Sequence, residues 1–248
     1  MMTAARKQSS GAGGLDLPPA FDLVTLREAG DAFRYALALP EKAAGTLIWA
    51  RRFQLAEFAV VLEPAEPLGQ ARLAFFAAMN ALADTLAVHC PPEKPVAFAW
   101  PDTILLDGGI LGGGRLAWNE ACREDETPDW LIFGAMLRTA SDFRAEPGEW
   151  MRGVALAEEG IWDVQPADIV ESFARHLMSA LHDWTEFGPR HEVARWMERF
   201  HRSAGSLARL DEAGNLCEKA GTDQGKRLLP EALTKPSWLD PRTGEPWL

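Results

Sequence analysis

The chain has 248 residues and a mass of 27.3 kDa, which is enough to bury a hydrophobic core without disulfides or metals. It carries 25 Lys and Arg against 36 Asp and Glu, for a formal net charge of −11. Binding to a phosphate backbone needs clustered basic residues, so this balance argues against nucleic acid as the main partner. No apolar run in the sequence approaches the length of a membrane-spanning helix, so no membrane partner is predicted either.

The N-terminal residues and the cysteines indicate the cellular compartment. Residues 1–17 are small and polar and lack the apolar segment of a signal peptide, so they are predicted to form a disordered tail. Cys90, Cys122 and Cys217 are odd in number and far apart. This spacing fits neither a disulfide framework nor a zinc site, and it predicts reduced thiols in a cytoplasmic protein.

Hydrophobic periodicity predicts the following elements in chain order. Strands are expected at 21–26, 46–50, 58–62, 96–100, 103–107, 114–118, 130–137, 206–211 and 215–220, and helices at 29–39, 68–88, 167–184 and 190–200. The helix predictions rest on apolar residues at three- and four-residue steps. The unbroken apolar run from Trp130 is typical of a buried strand.

These elements do not alternate regularly, which disfavours a doubly wound nucleotide-binding fold. The order predicts an α+β protein with a mixed or antiparallel sheet and helices on one side. We expect a main domain at 18–200 and a small β-rich C-terminal domain at 201–248. The second unit should dock through Trp238 or Trp247.

The most informative motif runs from Ala99 to Gly114, AWPDTILLDGGILGGG. A strand enters Trp-Pro-Asp, a second strand turns at Asp-Gly-Gly, and a third returns through glycines. This hairpin resembles the biotin/lipoate A/B protein ligase family, which carries Lys-Trp-Pro-Asn-Asp followed by a strand with Ala-Gly-Ile-Leu. The resemblance covers roughly residues 20–230. It implies the sheet-and-helix fold of class II synthetases and biotinyl–lipoyl ligases.

Three departures from the family pattern bear on chemistry. The family's catalytic Lys precedes the Trp, and here that position is Ala99. The Gly- and Arg-rich loop that covers the ligand in the family is reduced to residues 51–57, RRFQLAE. The Asn that follows the family's Gly-Ile-Gly strand corresponds to Arg138. No catalytic residue is therefore assigned.

Several residues remain candidates for ligand binding. The candidate set comprises Arg51, Arg52, Trp100, Asp102, Gly112, Gly113, Gly114, Arg115 and Arg138. The arginines would supply the positive charge that Lys supplies in the family, since guanidinium is a bidentate ligand for anions. The glycines would let a ligand approach the backbone, and Asp102 would lie at the mouth of the site. Each feature also has an alternative interpretation. The arginines could be solvated loop residues, the glycines could form a bulged strand, and Asp102 could cap a turn.

Other chemistries are less well supported. His89 and Cys90 are neighbours at a helix end, where adjacent side chains diverge. Neither the His176/His182 pair nor the His191/His201 pair has a spacing that shares a helix face. No metal site is therefore predicted.

Three functions remain open at this stage. The first is a ligase-like protein that binds a carboxylated acyl group or acyl-adenylate, such as biotin, lipoate or octanoate, and passes it to a lysine of a carrier domain. That reaction would need ATP and Mg²⁺. The second is a non-catalytic binder or scaffold that kept the fold and lost the Lys. The third is an acyltransferase that uses a preformed acyl donor.

Overall fold

The computed structural model describes residues 14–28, 30–141, 152–202, 207–220 and 223–248. Most of the predicted N-terminal tail lies outside these ranges. The strands are β1 Asp22–Leu26, β2 Thr46–Arg51, β3 Leu55–Leu62, β4 Val96–Ala99, β5 Thr103–Leu106, β6 Gly109–Trp118, β7 Leu131–Arg138, β8 Leu207–Leu210, β9 Leu216–Ala220, β10 Asp223–Arg227, β11 Leu239–Asp240 and β12 Glu245–Pro246. The helices are α1 Ala32–Ala38, α2 Leu68–Ala71, α3 Ala74–His89, α4 Pro166–Phe187, α5 Pro189–Glu198 and α6 Leu229–Leu233.

Seven strands form the main sheet in the order β1-β2-β3-β7-β6-β5-β4. β1 and β2 are parallel and the other pairs are antiparallel. The predicted mixed sheet is confirmed, and the segments 46–62, 96–118 and 130–137 share it. The β5–β6 connection turns through Asp107 and Gly108, both with positive φ, as the Asp-Gly pair predicts.

The alternation of side chains in β7 separates the two faces of the sheet. Phe133 belongs to the large cluster covered by α3, α4 and α5, and its ring stacks 5.8 Å from that of Phe173 in α4. Ile132 and Met136 point the other way. Residues one apart on a strand lie on opposite faces, so the unbroken apolar run of β7 reflects burial on both.

Helices cover both faces, which corrects the prediction that they lie on one side. α1 packs on the face opposite α3 and α4, against a cluster that contains Ile48, Ala59 and Ile132. The Asp31 carboxylate accepts the backbone N–H of Arg34 at 2.8 Å and caps this helix. The apolar stripe of a short helix gives no information on which face it covers.

The helix predicted at 68–88 is divided in two by a turn between α2 and α3. Within the described residues, 68–89 is long and apolar enough to cross a membrane by length and composition, but most of it is buried inside the protein. The segment is the central helical layer of the core. Its low amphipathicity follows from burial on nearly every side.

The β4 edge of the sheet is partly covered by the chain itself. The Phe98 N–H donates to the carbonyl of Arg199 at 2.9 Å, and its carbonyl accepts from the His201 N–H at 2.8 Å. α5 ends just before this bridge. The chain therefore pairs with the β4 edge of the main sheet as it enters the C-terminal region.

The C-terminal region contains a three-stranded sheet, β10-β9-β8, followed by α6 and the two-stranded hairpin β11–β12. β8 and β9 were predicted, whereas β10 and α6 were not, because the polar sequence DQGKR has no alternating apolar pattern. Leu216 and Leu229 are fully buried in the same cluster as the helices. Residues 236–248, which we call the C-terminal strap, run back over the main sheet.

Candidate functional site

The Trp-Pro-Asp hairpin between β4 and β5 joins the main sheet to the C-terminal region. Trp100 is buried and donates from Nε1 to the carbonyl of Gly214 at 3.2 Å. The guanidinium of Arg227 lies 4.8 Å from the centre of its ring. The Trp100 side chain belongs to the helix-side cluster. Trp100 therefore packs between the main sheet and the C-terminal region, on the face of the sheet opposite the strap.

Asp102 anchors the strap. Its side chain is 1% exposed and accepts hydrogen bonds from the Ser237 N–H at 3.0 Å and the Ser237 hydroxyl at 2.6 Å. The hydroxyl of Thr103 donates to it at 3.1 Å. Burial raises the pKa of Asp102, although these hydrogen bonds act in the opposite direction. The position predicted as the mouth of a site is thus filled by the protein's own backbone and hydroxyls.

The three consecutive glycines of β6, Gly112, Gly113 and Gly114, face different neighbours. A Cβ on Gly113 would lie 2.4 Å from Cδ1 of Trp238, whereas a Cβ on Gly114 would lie 2.7 Å from the sulfur of Met79 on the helix side. A Cβ on Gly112 would lie 2.0 Å from the carbonyl oxygen of Met136 in β7. Only Gly113 therefore faces the strap, and the Trp238 ring occupies the space that its missing side chain leaves.

Beside Trp238, the strap-covered face carries three arginines and three acids, which we call the charge row. Its members are Asp31, Arg52, Glu57, Arg115, Arg138 and Glu245. Arg52 makes two ion pairs: its Nε lies 2.7 Å from Oε2 of Glu57, and one terminal nitrogen lies 2.9 Å from Oε1 of Glu245. Arg138 lies 3.4 Å from the other Glu245 oxygen and donates to the carbonyl of Pro246 at 2.8 Å.

Glu57 is the buried acid of the charge row. Its carboxylate is 1% exposed and accepts the Ala32 N–H, in the first turn of α1, at 2.9 Å. Burial raises the pKa of Glu57, while the Ala32 N–H and the neighbouring Arg52 lower it. Two of the predicted ligand-binding arginines, Arg52 and Arg115, both lower the pKa of this carboxylate electrostatically.

Of the three guanidiniums in the charge row, that of Arg115 makes the fewest polar contacts with the described residues. Its nearest carboxylate oxygen, on Asp31, is 3.8 Å away, beyond hydrogen-bond distance. Its Nε is buried with no hydrogen-bond partner among the described residues. The guanidinium lies 4.5 Å from the ring centre of Phe33, and burial lowers its pKa. Arg115 thus retains unused donor capacity.

A cavity of about 350 Å³ opens beside Arg115. Its walls come from α1, β6 and the segment that runs from α6 into the strap. Most of the lining residues are apolar: Phe33, Leu116, Ala117, Trp118, Leu233, Pro236 and Leu239. Arg115 supplies a cation and Glu120 an acid. An apolar wall with one cation suits a ligand that has a hydrocarbon part and an anionic end.

The predicted ligand-binding arginines therefore do not all lie on one face of the sheet. Arg52, Arg115 and Arg138 share one face with Gly113. Arg51 is exposed at the end of β2, where its guanidinium lies 5.9 Å from the ring centre of Trp49 on the helix side. That any of these residues binds a ligand remains a prediction.

Sequence reasoning did not identify the acids of the charge row or the packing of Trp238 on Gly113. One signal was available, because Glu57 interrupts the apolar strand LAEFAVVL, and a buried acid needs a partner. Glu245 had no such signal. It lies 193 positions from Arg52, in a segment rich in proline and glycine.

A second acidic cluster lies between α4 and α5. Ligand atoms of Asp183, His191 and Glu192 lie within 4.8 Å of one another. Arg195 already lies 3.2 Å from Glu192 and 4.0 Å from Asp183. The cluster is therefore balanced by a guanidinium.

Comparison with known proteins is consistent with this geometry. The profile of the Biotin/lipoate A/B protein ligase family matches residues 17–198. No curated protein sequence matches the chain. A biotin protein ligase-like protein of unknown function from Silicibacter sp. TM1040 superposes with a TM-score of 0.75 at 22% identity, covering 90% of this chain and 100% of that one.

Two ligand-bound enzymes share the fold. Biotin protein ligase from Aquifex aeolicus in complex with biotin and ATP matches with a TM-score of 0.63 at 15% identity, over 84% of this chain and 95% of that one. The Leishmania major enzyme in complex with biotinyl-5-AMP matches with a TM-score of 0.54 at 13% identity, over 84% and 98%. The chain belongs to the biotin/lipoate A/B protein ligase family.

Proposed function

We propose that this protein binds a small carboxylated acyl ligand on the strap-covered face of its sheet, with the carboxylate on Arg115 and the acyl chain in the adjoining cavity. The observation that carries the proposal is the unused donor capacity of Arg115 at the wall of an apolar cavity. Guanidinium binds carboxylate through two parallel hydrogen bonds, which fixes the ligand's orientation as well as its charge.

The dimensions of the cavity support this ligand class. At about 350 Å³ it lies at the lower end of the range for small-molecule sites, roughly 300–1,000 Å³. Phe33, Leu233 and Leu239 offer apolar contacts to a hydrocarbon chain. Octanoate, lipoate and biotin each combine such a chain with one carboxylate.

The residues on this face do not fit ATP and Mg²⁺. Ala99 stands where the family has its Lys, and residues 52–54 are a short link between β2 and β3 where the family has a long ligand-covering loop. The Trp238 ring takes the space above Gly113. We therefore derive no adenylation step and no transfer to a carrier lysine, and the non-catalytic binder is the form of the family's function that the geometry supports. A cytoplasmic location, with Cys90, Cys122 and Cys217 as free thiols, belongs to the same proposal.

Calorimetric titration of the purified protein with octanoate, lipoate and biotin tests this function. Arg115→Met keeps a long side chain at this position and removes the charge, so it should weaken binding by about 1–3 kcal/mol, the value of a charge-assisted hydrogen bond. Arg123→Met is the matched control, because Arg123 is an exposed arginine paired with Asp125. Equal affinity in the wild type and in Arg115→Met would refute the assignment.

A further inference from the structure

Glu245 lies between two arginines that come from the same end of the β3–β7 pair, where Leu55 pairs with Arg138 and Arg52 lies just before β3. One carboxylate oxygen is 2.9 Å from Arg52 and the other is 3.4 Å from Arg138. The Arg138 side chain is only 4% exposed, so without an anion it would be a buried and poorly compensated charge. The two guanidiniums therefore define an oxyanion position that a carboxylate of the strap fills.

The strap has a firmly held part and a lightly held part. Ser237 is bonded to Asp102, and Trp238 is fully buried. In contrast, residues 241–244 are exposed and the β11–β12 hairpin consists of only two residue pairs. Pro246 is buried and its carbonyl accepts from Arg138, so the tip is residues 241–245, which can move while the anchor at 237–238 stays in place.

Open space adjoins this oxyanion position. A cavity of about 360 Å³ is bordered by Arg52, Phe53, Gln54, Leu55 and Glu245, with Glu28 at its rim. An anion from solvent can reach the Arg52 side chain, which is 22% exposed, through this opening. No rearrangement of the sheet is needed for that approach.

We propose that Glu245 is a tethered occupant of an oxyanion site formed by Arg52 and Arg138, and that a carboxylate or phosphate oxyanion binds there by displacing the strap tip. The inference rests on the proposed function in one respect: if this face of the sheet binds a ligand, the strap tip controls the ligand's access to it. A tethered competitor acts at an effective concentration on the order of millimolar, so free anions bind weakly while Glu245 is in place.

Glu245→Gln tests the site, because it removes the charge and keeps the shape of a side chain that is one-third exposed. The variant should bind inorganic phosphate about tenfold more tightly than the wild type, the effect of removing one charge-assisted competitor. Adding Arg138→Met should abolish the gain. Glu212→Gln is the control, since Glu212 pairs with the exposed Arg190. Unchanged phosphate affinity in Glu245→Gln would overturn the inference.

A measurement on the unmodified protein gives an independent check. The backbone N–H of Trp247 donates to the carbonyl of Trp238 at 3.0 Å, so hydrogen exchange of this amide reports whether the tip is closed. Saturating phosphate should accelerate this exchange and leave the amides of β7 unchanged. Exchange at Trp247 that is independent of phosphate would contradict displacement of the tip.

The two proposals fail in different ways. If octanoate binding depends on Arg115 but phosphate binding ignores Glu245→Gln, the proposed function stands and the tethered occupant is wrong. If Glu245→Gln gains phosphate binding while octanoate affinity ignores Arg115→Met, the occupant stands and the proposed function is wrong.

Discussion

The indole Nε1 of Trp238 donates a 3.0 Å hydrogen bond to the carbonyl oxygen of Gly114. This contact joins the strap to β6, the strand that carries Gly112, Gly113 and Gly114. The same ring lies over Gly113, where a Cβ would meet it at 2.4 Å. Gly113 thus accommodates a side chain of the protein itself.

Truncating Trp238 should therefore destabilise the whole protein. The side chain is fully buried, and Trp238→Ala should lower the free energy of unfolding by about 3–5 kcal/mol, as for other large core deletions. Trp238→Phe keeps most of the ring and should cost less. Urea unfolding of both variants measures the difference, and Trp162→Ala serves as a control because Trp162 is 73% exposed. Equal stability of Trp238→Ala and wild type would show that the strap does not contribute to folding.

Gly113→Ala should displace the strap. Its Cβ would lie 2.0 Å from the carbonyl oxygen of Asp102, a backbone atom that cannot move freely. Overpacking of this kind costs typically 1–3 kcal/mol. Gly225→Ala is the matched control, since a Cβ there meets nothing within 4 Å. Faster hydrogen exchange at Trp247 in Gly113→Ala alone is the expected result, and identical behaviour of the two variants would contradict it.

Asp102 should make stability depend on pH. Burial raises its pKa in the folded protein above the unfolded value of about 3.9, so the folded state holds the proton more tightly. The free energy of unfolding should then fall as pH rises from about 4 through the folded pKa. Asp102→Asn does not titrate but can still accept the Ser237 N–H.

Comparing the wild type with Asp102→Asn isolates the contribution of the Asp102 carboxyl group to the pH dependence of stability. Urea unfolding at about pH 4.5 and pH 7.5 should show that the wild type loses stability relative to Asp102→Asn at the higher pH. Other titrating groups, including Glu57, are common to both proteins and cancel. A wild type that gains stability relative to the variant with rising pH would show that the hydrogen bonds from Ser237 outweigh burial.

Cys90 should be unreactive in the folded protein. Burial raises the pKa of its thiol to about 11, so at pH 8 only about one molecule in a thousand carries the thiolate. Alkylation with iodoacetamide, followed by peptide mass spectrometry, should modify Cys90 slowly when folded and rapidly in urea. Rapid modification of the folded protein would reopen a role for the His89–Cys90 pair.

ATP-dependent biotinylation should be absent or very weak. Loss of a preorganised charge at the Ala99 position typically lowers a rate by about 10²–10³. Ala99→Lys should not restore activity by itself, because Trp238 still covers Gly113. Incorporation of labelled biotin into a carrier domain measures both proteins. Robust labelling by the wild type would refute the prediction, and labelling by Ala99→Lys would show that the strap leaves the site accessible.

The sequence predicted the main sheet because burial on one or both faces leaves a regular pattern in each strand. It also predicted that Trp238 or Trp247 docks the C-terminal segment, and Trp238 is fully buried. β10 and the side taken by α1 could not be predicted, because polar strands and short helices carry no such pattern. The arginine partners were inaccessible for another reason. Arg138 and Glu245 are 107 positions apart, and no local rule couples them.

The bridge between Phe98 and residues 199–201 has a consequence for self-association. A bare edge strand can recruit a strand from a second molecule through its unpaired N–H and C=O groups. In the four-residue β4, both groups of Phe98 are already bonded to the chain that leaves α5. A foreign strand would find no continuous ladder there, so the molecule should stay dispersed at high concentration as far as this edge is concerned.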